Sequence, residues 1–320
     1  MTTLRHFSLG RHAMKVALQL AEVTTGDAVM VPGFICRDLL AAIRSLGAVP
    51  VFYEVDINLQ PKILDRSVNP RAIIVVNYFG FAQDLEPFIA FGSATGAIVI
   101  EDNAHGFLSR DSENQILGQR TTFGITSFRK TLHVVDGATL SASIQESRLP
   151  PQLESIDTSN GLRTDASRIL ARIQQVTKIP IINFAQTASR LIRYIRTGSK
   201  FPATDADVET RIPGAANPHT SSVQQMLELD QAKEILRRRS LFEKLLPEVI
   251  KLGIKPIFES LPNGTCPYGL PVYASPEFSR TLSKLARRYR VTLMTWPELP
   301  QDILPAAPEH YRQVQLLNFR

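Results

Sequence analysis

Two stretches decide how this chain folds: Ala97-Ile-Val-Ile-Glu-Asp102-Asn-Ala-His105-Gly106 and Thr122-Phe-Gly-Ile-Thr-Ser127-Phe-Arg-Lys130-Thr131. Each is an apolar run of strand character that ends abruptly in polar groups. Ligands of open α/β sheets bind outside the carboxyl ends of the strands. An acid and an imidazole at one strand end, with a hydroxyl and an amine at another, therefore mark a candidate site.

Working outward, strand-like and helix-like segments alternate through the first half. Arg11 to Val23 reads as a helix with Ala13, Val16, Ala17 and Leu20 on one face. Ala28 to Pro32 is a short buried strand, and Arg37 to Leu46 a helix stopped by Gly47. Val49 to Val55 and Ala72 to Val76 are strands, Gln83 to Phe91 a helix, and Gly137 to Ala142 closes the series after the two quoted strands. This alternation predicts an α/β fold: a mainly parallel sheet sandwiched by helices. Beyond Leu149-Pro-Pro151 the pattern changes. Helices are predicted over Asp165–Gln175 and Asn183–Arg196, then a loose polar loop from Thr197 to Pro218. A long helix follows from Ser222 to Ile250, with Pro247 as a candidate break. Strands at Ile254–Phe258, Tyr268–Tyr273 and Val291–Thr295 around a helix at Glu277–Arg290 predict a small C-terminal α+β domain. The expected division is 1–215 for the large domain and 216–320 for the long helix and small domain.

The chain has 320 residues, too many for one compact core of ordinary size, which agrees with two units. Its net charge of +6 is gathered in clusters: Arg190, Arg193, Arg196 and Lys200; Arg237-Arg-Arg239; Arg287-Arg288. No nucleic-acid motif accompanies them, so they read as solvated helix faces and no nucleic-acid partner is expected. Cys36 and Cys266 are too few and too far apart for a disulfide scaffold or a zinc site. No metal is expected. Met1–Gly10 lacks the pattern of a signal peptide, and no apolar run approaches the roughly 20 residues that span a bilayer. A cytoplasmic protein without a membrane partner is the expectation.

Each candidate residue has a plain reading beside a chemical one. Asp102 either caps the turn after its strand or, with Glu101 and His105 crowded beside it, presents a carboxylate to a ligand. Lys130 is either a surface charge or, next to Arg129, an amine suited to imine chemistry. Gly10-Arg11-His12 opens a helix whose free amides form an anion site, to which Ser127 adds a hydroxyl. Phe34 and Cys36, at the end of the second strand, pack either in the core or against a flat ring. Carboxylate, ring neighbour, phosphate hydroxyl and lysine together are what a pyridoxal phosphate enzyme requires. Nucleophile-elbow, P-loop and dinucleotide glycine motifs do not occur.

Several motifs occur in the order of a known family. Gly26-Asp27-Ala-Val-Met-Val-Pro32 resembles G-D-E-V-I-V-P, Gly47-Ala-Val-Pro-Val-Phe52 resembles G-A-x-P-V-F, and Asn77-Tyr-Phe-Gly80 stands at H-x-Y-G. Glu101-Asp102-Asn-Ala-His105 matches E-D-x-A-Q or E-D-x-A-H. Ser127-Phe-Arg-Lys130-Thr-Leu132 with Asp136-Gly137 resembles a short form of the lysine loop, and Gly214-Ala-Ala-Asn217 the G-x-N segment before the long helix. The chain thus resembles the DegT/DnrJ/EryC1/StrS family of sugar aminotransferases, with the seven-stranded fold type I of pyridoxal phosphate enzymes.

The resemblance implies pyridoxal 5'-phosphate as cofactor, Lys130 as its Schiff-base lysine, Asp102 on the pyridinium nitrogen and His105 beside the ring. It implies Ser127 and the amides of Arg11 and His12 on the phosphate, joined by Asn217 from the neighbouring subunit of a homodimer. It also implies a glutamate-like amino donor and a keto sugar, nucleotide-linked, in polysaccharide or secondary-metabolite biosynthesis. The chain departs from the family at Ala138 for a second glycine, His133 and Val135 for prolines, His219 for an arginine and Asn77 for a histidine. It stops at Leu316–Arg320, where relatives continue through a final strand. Those departures leave two alternatives: a catalytically weak paralogue acting as a binding or regulatory subunit, and another reaction of the same cofactor, elimination or decarboxylation.

Overall fold

A computed structural model describes residues 2–157 and 207–320. The helices expected at 165–175 and 183–196, the Arg190–Lys200 cluster and residues 197–206 of the expected loop lie outside the described residues. Strands β1 (Thr3–Phe7), β2 (Ala28–Pro32), β3 (Val49–Tyr53), β4 (Ala72–Val76), β5 (Ile98–Asn103), β6 (Phe123–Thr126) and β7 (Ala138–Ala142) form one sheet. Their order is β1-β7-β6-β5-β4-β2-β3. Neighbours from β6 to β3 run parallel, and β7 alone is antiparallel, to both β6 and β1. Every residue of β4, Ala-Ile-Ile-Val-Val, is buried, as a central strand covered on both faces requires.

Helices α1 (Gly10–Leu20), α2 (Leu40–Arg44), α3 (Glu86–Thr95) and the single turn α4 (Phe128–Thr131) accompany this sheet. Helix α1 buries Ala13, Met14, Ala17 and Leu18 and packs on β6 and β7. A 3-10 turn, Arg37–Leu39, leads into α2, so the helix read from Arg37 has two parts. Gly47 ends that segment at φ 72, where a Cβ would lie 2.7 Å from Thr25 Oγ1, so only glycine fits.

The expected long helix is two: α5 (Thr220–Leu227) and α6 (Gln231–Lys251). Its break lies at Asp230, whose carboxylate accepts from the Lys233 amide and starts α6, while Pro247 sits inside α6. A second, antiparallel sheet has the order β10-β11-β9-β8, from β8 (Lys255–Pro256), β9 (Gly269–Tyr273), β10 (Thr292–Thr295) and β11 (Val314–Asn318), with α7 (Ser279–Tyr289) and α8 (Glu309–Arg312). The last residues are thus a central strand of this sheet, with Val314, Leu316 and Leu317 fully buried. Both sheets share one apolar core, in which Phe242, Leu245 and Val249 of α6 join residues of the two.

The register matters most at β5 and β6. Asp102 pairs with Ile125 and Asn103 with Thr126, which brings the two quoted strand ends side by side. Among the described residues no helix is long and apolar enough to cross a membrane, and no group of side chains is arranged to hold a metal ion.

Candidate active site

One cavity at the carboxyl ends of β5 and β6 is lined by Asp102, His105, Ser127, Lys130, Gly10, Arg11 and Cys36, together with Asp38 and Trp296. Lys130 projects from α4, a turn held tightly in place. Phe128 is fully buried, and Gly137 lies so close that a Cβ there would fall 1.9 Å from Phe128 Cε2. The Gly137 carbonyl accepts from the Arg129 amide at 3.1 Å and from Ser127 Oγ at 3.4 Å. From this turn Lys130 Nζ reaches His105 Nε2 at 3.2 Å.

His105 is buried and stacked on Tyr268, with ring centroids 4.6 Å and planes 3° apart. Phe79 stacks on it at 5.6 Å, and Trp296 meets it edge-on at 4.9 Å. Burial, and then the Lys130 charge, hold the imidazole pKa well below its ordinary value. That favours the neutral ring, whose Nε2 can accept from Lys130 Nζ.

Asp102 is buried, and its Oδ1 accepts from the Ala104 amide at 2.9 Å. Burial raises its pKa, opposed by the charge of Lys130 and by that hydrogen bond. Behind it, the fully buried Glu101 takes the Arg120 guanidinium, with Nη2 2.7 Å and Nε 2.8 Å from Oε1. Asn77 donates to the same oxygen at 2.7 Å, accepts from Arg120 Nη2 at 3.0 Å, and donates its amide to the Asp102 carbonyl. The asparagine that departs from the family histidine is thus satisfied on both sides of its amide.

At the other end of the cavity, α1 begins at Leu9 with no side-chain cap and no acid in its first turn. That leaves a positive helix terminus facing Ser127. The His12 amide is engaged with the Leu9 carbonyl at 3.0 Å, which corrects its expected place on a phosphate, and His12 does not line the cavity. Arg11 contributes more than an amide: its Nη1 is buried without a partner and its Nε lies 3.7 Å from Asp38 Oδ2.

Phe34 is a second correction. It is fully buried in the core, with ring centroids 5.0 Å from Tyr311, 5.1 Å from Trp296 and 5.5 Å from Tyr78, and it does not line the cavity. Cys36 does line it, as a thiol whose pKa burial pushes up to about 12. Asn217 lies away from its own chain's cavity and donates to the Glu154 carbonyl at 2.9 Å. His219 caps α5 by accepting from the Ser221 amide.

Sequence reasoning missed Trp296, Asp38, Arg120 and Tyr268. Trp296 alone carried a signal, as the only tryptophan in a proline-flanked segment.

The residues present fit pyridoxal phosphate. Asp102 is a buried carboxyl whose ionisation a cationic ring nitrogen would favour, and the orphaned Arg11 nitrogen and open helix terminus suit a phosphate.

The mainly parallel sheet flanked by helices is the α/β fold that aminotransferases of known structure share. Residues 6–139 of this chain match the DegT/DnrJ/EryC1/StrS aminotransferase family. Among curated relatives, Protein MosB of Rhizobium meliloti is 32% identical over 137 residues, 41% of this chain and 26% of that protein. The UDP-2-acetamido-2-deoxy-3-oxo-D-glucuronate aminotransferase of Pseudomonas aeruginosa is 35% identical over 103 residues, 31% of this chain and 29% of that protein. The matched stretch thus spans little more than a quarter of either relative. Among solved structures, a DegT DnrJ EryC1 StrS aminotransferase from Brucella abortus superposes with a TM-score of 0.62 at 16% identity, covering 98% of this chain and 80% of that one. DesV of S. venezuelae gives 0.62 at 18% identity, with coverage of 98% and 79%. At those identities the structures establish the fold.

Proposed function

We propose that this protein is a pyridoxal-phosphate-dependent aminotransferase that moves an amino group from an amino-acid donor, glutamate by expectation, to a nucleotide-linked keto sugar. The observation that carries the reading is one cavity holding Lys130, Asp102 and the stacked His105 together. The large unit is assigned to 1–215 and the small one to 216–320, in a cytoplasmic homodimer.

The bound cofactor supplies an electron sink for the carbanion next to the amino nitrogen. Asp102 would face the ring nitrogen and favour its protonated form. Lys130 is the amine that would hold the cofactor and would serve as proton carrier, its Nζ directed by the contact with His105 Nε2. Ser127 and the Gly10–Arg11 start of α1 bind phosphate, with the Arg11 guanidinium as a further donor. Trp296 closes one wall against water.

Absorption spectroscopy tests this directly. The purified chain with added pyridoxal phosphate gives a visible band from lysine-bound cofactor, and Lys130→Ala abolishes it. Glutamate bleaches the band in a half-reaction, and a nucleotide keto sugar restores it. A chain that stays colourless with excess cofactor rules out the proposal. Retained colour that no amino acid bleaches favours the binding-subunit alternative instead.

A further inference from the structure

Arg238 lies within the basic run Arg237-Arg-Arg239 on α6, yet its side chain is fully buried. The run therefore is not a uniformly solvated face. Arg238 Nε donates to Glu234 Oε1 at 2.7 Å, Nη2 to the Thr131 carbonyl at 2.9 Å, and Nη1 to the Pro267 and Tyr268 carbonyls, each at 3.3 Å. Thr131 directly follows Lys130, and Tyr268 carries the ring stacked on His105. A closed circuit of contacts results: Lys130 to His105, His105 to Tyr268, Tyr268 to Arg238, Arg238 to Thr131, and back along the chain to Lys130. Neither Tyr268 nor Arg238 lines the cavity.

A buried guanidinium costs stability unless its donors are met, and here they are met by carbonyls of the two segments that aim the lysine. The planar fork can tie both segments at once, which an ammonium cannot. A long lysine side chain loses rotamer freedom when held, so whatever fixes its partner also fixes its direction. We propose that Tyr268 and Arg238 are positioning residues for Lys130: one pins the imidazole that Nζ bonds, the other pins the turn from which Nζ projects. The proposal rests on the reading of Lys130 as the cofactor-bearing lysine.

Trp296, the only tryptophan, touches His105 edge-on, and a protonated imidazole quenches an adjacent indole. Its fluorescence therefore reports the state of His105 in the cofactor-free chain. The titratable groups facing that ring are Lys130 from α4 and Tyr268 before β9, while Asp102, Arg11, Cys36 and Asp38 line the same cavity.

Quenching is measured against pH in wild type, Tyr268→Phe and Tyr268→Leu, and pyridoxal phosphate affinity is read by absorbance. Wild type and Tyr268→Phe are expected to share a low midpoint, because the ring is kept. Loss of the ring in Tyr268→Leu admits water and raises the midpoint by about one unit. Arg238→Lys weakens cofactor binding on the order of tenfold. Leu245→Ala, which disturbs the core of the same helix away from Thr131, leaves binding unchanged. An unshifted midpoint in Tyr268→Leu, or wild-type affinity in Arg238→Lys, overturns the proposal. A shifted midpoint in a chain whose wild type binds no cofactor supports the pinning of His105 and removes the cofactor reading.

Discussion

Asp102 is held in the fold at a cost. Burial raises its pKa above the ordinary 3.8, so the folded chain binds that proton more tightly than the unfolded chain does. The sign follows from linkage: stability is lost as pH rises from the unfolded value through the raised folded one, and the ionised form remains a liability at neutral pH. Asp102→Asn therefore raises the melting temperature of the cofactor-free chain at pH 7 and flattens its pH dependence above pH 4. With pyridoxal phosphate the order reverses, because only the carboxylate pairs with a ring cation. Melting curves at several pH values, with and without cofactor, check both halves. Asp102 was legible in sequence through its company: alone it reads as a turn cap, and Glu101 and His105 at the same strand end give it the chemical reading. Phe34 was not, since an aromatic ring at a strand end faces core or cavity with the same local pattern. Arg120 and Arg238 were hidden because their partners, Glu101 and Thr131, lie 19 and 107 positions away.

Between strands β6 and β7 the lysine turn is stiffened by Gly137 rather than by helix length, since α4 is a single turn. Gly137 adopts φ 131, a region that suits glycine, and its carbonyl holds both Ser127 and Arg129. A methyl group there would collide with the Phe128 ring. Gly137→Ala is expected to cost about 1–3 kcal/mol and to weaken cofactor binding more than a core truncation of equal cost. Chemical denaturation paired with absorbance titration separates the two effects. By contrast Ala138, where the family has a second glycine, is a fully buried residue of β7 paired with Phe7, so that departure leaves the turn intact. The parallel strands were readable because continuous apolar runs bounded by Gly, Pro and Asp are unambiguous. The strand β1, Thr-Leu-Arg-His-Phe, is mixed in polarity and half-exposed, and nothing local marks it. The break between α5 and α6 was misplaced because proline is the loudest helix signal. Here the first helix stops at Leu227 and an aspartate cap at Asp230 begins the next.

At the scale of the whole molecule, the candidate cofactor site draws its walls from distant parts of the chain, Gly10 to Trp296. The segment after β10 brings Trp296 to the cavity wall and is tied to the Arg37–Arg44 segment by ion pairs. The Arg37 and Arg44 guanidinium groups converge on the buried Glu209 at 2.9 and 2.6 Å and extend to Glu298 and Asp302. Such ties fix the wall, but Asn217, proposed for the phosphate, does not line its own chain's cavity. If Asn217 serves a neighbouring subunit, two defective variants must rescue one another. A Lys130→Ala subunit retains Asn217, and an Asn217→Ala subunit retains Lys130. In a mixed dimer, the site built on the intact lysine receives the intact asparagine and is whole, while the other site carries both lesions. Refolding the two variants together should restore cofactor binding at wild-type affinity to about a quarter of all sites, since about half the dimers are mixed when subunits pair at random. Each variant alone should fall short, Lys130→Ala by losing the absorption band and Asn217→Ala by on the order of tenfold in affinity. Mixing without any gain would place Asn217 in its own subunit's site or outside the site altogether.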